Sequence, residues 1–272
     1  MSNIKLPFLP GNMAVLKREE DRIITASIVA ANADPAMSSH INLILASLNA
    51  LQWAHTRSEG HLSETETALS GLNIRMFNSM ASSFNLLLCG YYSAAIACMR
   101  DFMEAAFLLD FLEANRDDML IKWMDAPDAP DFHPAAVRVW LDARNSNNDI
   151  QRGLRYRQLC GYGAHGSCDG MTLLNADAQQ MSIGPFLNEA LFAHLLHDLA
   201  RHLPYAILSG WKFETGQSAE DFKQKSLFLA ESWTWWITHP NPEFDDTEIE
   251  AIRQMVEALD QTYRQSMIAA TL

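Results

Sequence analysis

The densest chemistry in this sequence lies between residues 138 and 167. Arg152, Arg155 and Arg157 fall within six residues, with Tyr156 among them, and Arg138 and Arg144 precede them. A guanidinium fork holds phosphate or carboxylate through two parallel hydrogen bonds, so such a run in an acidic chain suits an anionic ligand. His165 and Ser167 follow, set among Gly161, Gly163 and Gly166. An imidazole titrates near neutral pH and can act as general acid or base. Glycines permit close approach of a ligand or of another backbone. The plainer reading is an exposed basic helix with a glycine-rich stop, its histidine bonded to a neighbouring carbonyl.

Arg100 and Glu104 stand four residues apart in an apolar stretch and share a helix face, so they can pair. An exposed pair contributes little, whereas a partly buried one must be satisfied or used. As part of a site it adds a cation and a carboxylate to the anion-binding region. His194, Asp198 and His202 recur every four residues along one stripe, with His197 beside it. These are metal-ligand types. The chain has neither H-E-x-x-H nor Glu-x-x-His, so neither a zincin nor a di-iron bundle is indicated, and no metal or cofactor is assigned. Trp233, Trp236 and Ile237 share a face, with Trp235 and Trp211 near them, and read as core or interface packing. A Walker loop, a Rossmann glycine fingerprint and a G-x-S-x-G elbow are all missing.

Helices must position these groups, because the apolar residues recur at helical spacing. The pattern predicts helices over about 13–32 and 36–57. A third opens at Ser63 with a capping box to Glu66 and carries Leu69, Leu72, Met76, Met80 and Leu87 on one stripe. Gly90 breaks or loosens the chain before a fourth helix. Ile96, Met99, Phe102, Met103, Ala106 and Leu109 cover much of that helix, which puts it at the centre of a bundle. Further helices are expected over about 117–124 and 135–145 and from Ile150, with a non-helical loop or short hairpin near 166–185. A helix over about 186–203 is closed by Pro204, placing His202 in its last turn, where a cation suits the dipole. Two more follow over about 219–237 and 246–268, the second with Asp245 and Glu248 as a capping pattern. The expected fold is an all-α, mostly antiparallel multi-helix bundle. It forms a single domain over 1–272, with a core bundle at about 64–203 and flanking helices at 11–57 and 217–268.

Of the 272 residues, 49% are hydrophobic and 19% charged, a globular rather than disordered composition. A net charge of -13 and a pI of about 5.0 argue against a surface that tracks a phosphate backbone throughout, while leaving room for a local basic cleft. Cys89, Cys98, Cys160 and Cys168 form no C-x2-C pair. Neither a structural zinc site nor a disulfide scaffold is expected, and a reducing cytoplasmic setting fits. Residues 1–12 lack a basic segment followed by an apolar core, so no signal peptide is expected. The most apolar stretch, 94–112, is interrupted by Arg100, Asp101, Glu104 and Asp110, which argues against a membrane partner.

Two motifs carry a resemblance. Arg100-Asp-Phe-Met-Glu104-Ala105 enters an apolar helix, and Tyr156-Arg-Gln-Leu159 leads to Ala164-His165-Gly166-Ser167. From about Leu69 to Leu203 the chain resembles a group of bacterial all-helical proteins distantly related to the HEPN superfamily (higher eukaryotes and prokaryotes nucleotide-binding domains). Catalytic members of that superfamily are metal-independent RNases built on an Arg-x4-6-His motif at a dimer interface, and others are non-catalytic binding modules. The resemblance implies a helical bundle, with His165 as the catalytic histidine and Arg157 as its arginine, here with seven residues between them. It also implies a nucleotide, RNA or other anionic ligand bound by Arg100, Glu104, Tyr156, Arg152 and Ser167. In the RNase version His165 deprotonates a ribose 2′-hydroxyl and arginines stabilise the phosphate. That version needs Arg100, Glu104, Arg157 and His165 in one cleft. The alternative is a non-enzymatic module for protein interaction or small-ligand binding, with an apolar groove or a homodimer face.

Overall fold

A computed structural model describes residues 11–56, 63–144, 150–163, 168–177, 180–211 and 219–239. Their fold is an all-α bundle carrying one two-stranded hairpin. α1 (Gly11–Ala33) and α2 (Pro35–Thr56) are separated by Asp34 alone. Its Oδ1 accepts from the amides of Ala36 at 2.7 Å and Met37 at 3.2 Å. Pro35, with preset φ and no N–H to satisfy, fits the first helical position. α3 (Glu64–Leu88) opens on the expected capping box: Ser63 Oγ accepts from the Glu66 amide at 3.2 Å, and the Glu66 carboxylate accepts from the Ser63 amide at 2.9 Å.

Gly90 breaks the chain before α4 (Tyr92–Ala114). Its φ is +78°, and a Cβ there would sit 2.1 Å from the Phe186 carbonyl oxygen. α4 is central, as expected: Met99, Phe102, Ala106 and Leu109 are fully buried, and α3, α6, α7 and α9 pack around it. α5 (Arg116–Asp125), a 3-10 turn at Pro130–Phe132 and α6 (Pro134–Arg144) follow, and α7 (Ile150–Gly163) lies along α4. The stretch expected to be non-helical contains α8 (Cys168–Thr172), then β1 (Asn175–Asp177) and β2 (Gln180–Met181), paired antiparallel.

α9 (Glu189–Trp211) departs from expectation by running through Pro204 instead of stopping before it. Proline there removes one backbone hydrogen bond and costs about 3 kcal/mol in a helix interior. Beyond it, Ala206, Ile207 and Trp211 are buried in the core, which offsets that loss. His202 therefore sits in mid-helix and is only 5% exposed, so the last-turn dipole argument does not apply to it. α10 (Ala219–Thr238) buries Phe228, Leu229, Ser232, Trp235 and Trp236 against α2. Of the expected Trp233–Trp236–Ile237 face, Trp236 is buried and Trp233 packs against the core, but Ile237 is corrected to an exposed position, at 63%. The capping pattern at Asp245 and Glu248 and the helix expected over 246–268 lie outside the described residues. α2 contributes Leu43, Ile44 and Leu51 to the same core as α4 and α9. Among the described residues no helix is long and apolar enough to cross a membrane.

Candidate functional site

α7 is pressed onto α4, and Gly163 shows how closely. A Cβ at Gly163 would lie 2.6 Å from the Ala97 amide nitrogen, whereas one at Gly161 would meet nothing within 4 Å. The first of these glycines thus serves backbone packing. Two turns earlier Tyr156 donates its O–H to Glu104 Oε1 on α4. Arg100 Nε lies 3.5 Å from the same oxygen, within reach of charge attraction but without forming a hydrogen bond. Arg138, on α6, stacks 3.5 Å above the centre of the Tyr156 ring, a cation–π contact. Arg100, Glu104 and Tyr156 therefore meet, and Arg138 joins them. Burial, and next the hydrogen bond to Glu104, push the Tyr156 hydroxyl well above the ordinary phenol range, so it keeps the proton it donates.

A cavity of about 270 Å³ adjoins this network, between Arg75, Glu104, Trp123, Asp128 and Phe132. Arg75 is held by Asp101, which also accepts from the Ser79 hydroxyl. Burial pulls Asp101 upward, but the hydrogen bonds from Arg75 and Ser79 outweigh it and hold the carboxyl below its usual range.

The rest of the basic region divides. Arg144 clamps the buried Asp110 through two hydrogen bonds of 3.0 and 2.8 Å, and Tyr205 donates to the same carboxylate at 2.9 Å. That arginine thus ties α6 to α4 and α9. Arg157, one residue on from Tyr156 and about 100° around the helix, is exposed. His165, Ser167 and the side chains of Arg152 and Arg155 lie outside the described residues.

On the other side of α7 a cleft of about 410 Å³ opens toward α9. Its floor includes the buried Ile96, Leu159, Leu173 and Leu195. Its polar wall is the stripe His194, Asp198, Arg201 and His202 on α9. Asp198 faces Arg201 Nη2 at 3.3 Å and His194 Nε2 at 3.6 Å. Tyr162 at the end of α7 and Thr172 at the end of α8 also line it, so the helices on either side of residues 164–167 both border the cleft. The stripe considered for metal is thus a cleft wall. Among the described residues no group of three His, Cys, Asp or Glu side chains is arranged to hold a metal ion. Arg201 was missed in the sequence, although its position three residues after Asp198 is an ordinary helical pairing distance.

Compared with known families, curated proteins and solved structures, the chain matches no family model, no curated protein and no solved structure.

Proposed function

We propose that this protein binds a small anionic ligand, of nucleotide size or below, in the cleft between α7, α8 and α9. It keeps the anionic ligand of the HEPN-like reading but places it along α9 rather than at Arg100, Glu104, Tyr156 and Arg157. The observation that carries it is the cleft itself: about 410 Å³ with an apolar floor and one polar wall. That volume falls inside the range of roughly 300–1,000 Å³ usual for small-molecule sites. Arg201 supplies the permanent cation. His194 and His202 supply imidazole groups, and Gln158, Tyr162 and Thr172 offer polar groups that orient a ligand. Asp198 beside Arg201 favours a ligand that also presents a donor. Cleavage of RNA by His165 is the catalytic extension of this reading, and an apolar ligand on the leucine floor is its non-anionic counterpart.

Calorimetric titration of the full chain with inorganic phosphate and with a nucleoside monophosphate tests it. Saturable binding of at least one probe is expected, weakened about tenfold or more in R201Q and reduced by added salt. Wild type that binds neither probe overturns the anionic reading. An H165A variant that cuts an RNA oligonucleotide as fast as wild type removes the catalytic extension.

A further inference from the structure

α9 carries a second group of titratable side chains, on the face turned toward α2 and α10. His40 of α2, His197 of α9 and His239 just after α10 gather there around Trp235. Ring centres are 4.5 Å apart for His40 and His239, 5.1 Å for His40 and His197, and 6.3 Å for His197 and His239. The indole of Trp235 lies 5.7, 5.5 and 5.2 Å from the three rings in turn. Trp235 Nε1 donates to His40 Nδ1 at 2.8 Å. An indole nitrogen only donates, so Nδ1 must carry no proton, and the hydrogen bond exists only while His40 is neutral. Both partners are buried: His40 is 5% and Trp235 1% exposed. His239 Nε2 is buried without a hydrogen-bond partner among the described residues.

We propose that His40, His197 and His239 form an acid-sensitive latch, which holds the C-terminal turns of α10 against α2 and α9 while the rings are neutral and loosens them on protonation. A proton on His40 Nδ1 would set two N–H groups against each other where one hydrogen bond now stands. It would also place positive charge beside two further imidazoles. The other charged neighbours do not cancel this. Asp34, at the start of α2, favours a charged His40, and Asp198 favours a charged His197, but Arg201 and His194 oppose the latter. Burial dominates for all three rings and keeps each below the ordinary histidine range. Protons therefore bind the loosened form better, and acid favours it. Nearer the start of α10, Phe228 packs edge-on against Trp211 at 5.0 Å, and neither residue titrates in this range. Loosening is thus confined to residues 232–239.

Amide hydrogen exchange on the full chain, corrected for intrinsic rates, reads this directly. From pH 7.5 to 4.5 protection of residues 232–239 is expected to fall about tenfold or more, and these residues should exchange freely while α3 and α4 remain folded and far better protected. In H40N an amide oxygen can still accept from Trp235 but takes no proton, so the loss of protection should be clearly smaller than in wild type. Unchanged protection in wild type, or an equal loss in H40N, overturns the latch. If H40N does not fold, imidazole NMR of wild type decides. His40 charging with a midpoint near 6.5 while residues 232–239 remain protected overturns it, whereas charging only together with loss of protection supports it.

Discussion

Tyr156 joins three helices through one side chain: its hydroxyl reaches Glu104 on α4 and its ring carries Arg138 of α6. Removing only the hydroxyl leaves Glu104 with Arg100 at 3.5 Å and no hydrogen bond from Tyr156. Y156F is therefore expected to lose about 1–2 kcal/mol of stability in urea unfolding, and Y156A more, because the stacking of Arg138 goes as well. Equal stability of Y156F and wild type would mean that Glu104 finds another donor. The types and spacing of Arg100, Glu104 and Tyr156 were legible in the sequence as chemistry-bearing. The role of Arg144 was not. It looked like part of a basic patch, but it is committed to Asp110, a carboxylate only 1% exposed that read merely as an interruption of an apolar run.

Helices were the most legible part of the chain, because their signals are local. The Ser63–Glu66 box and the apolar stripes each act within four residues. α9 shows where local signals fail: Pro204 is a stop signal, yet the apolar residues after it find a core to enter and the helix goes on. α7 shows the same for glycine. The sequence marks Gly161 and Gly163 alike, but only Gly163 touches the α4 backbone. G163A should destabilise the protein by about 1–3 kcal/mol, since two helix backbones must part. G161A should be neutral or stabilise it by up to about 1 kcal/mol through helix propensity. Paired denaturation curves distinguish them, and equal effects would contradict the close contact at Gly163.

Across the molecule, the buried histidines set how stability varies with pH. His40 is held down to about 3, first by burial and then by its two histidine neighbours. The unfolded chain takes up a proton near pH 6.5 that the folded chain refuses, so this contribution is complete above 6.5 and is lost as pH falls toward 3. At pH 4.5 His40 alone accounts for about 3 kcal/mol of lost stability, and His197 and His239 act in the same direction. Thermal unfolding from pH 7.5 to 4.5 should show this decline, smaller in H40N; a flat profile would contradict it. Composition and periodicity suffice to specify an all-helical chain, its central helix and the residue types able to bind an anion, since each depends on groups a few positions apart. Which of those residues meet is set by packing. Glu104 finds Tyr156 across 52 positions, and His40 finds Trp235 across 195. The cleft exists because α7 and α9 both pack on α4 and leave a space between them, and no pattern along the chain encodes contacts at such separations. They form only when several helices bury their apolar faces together.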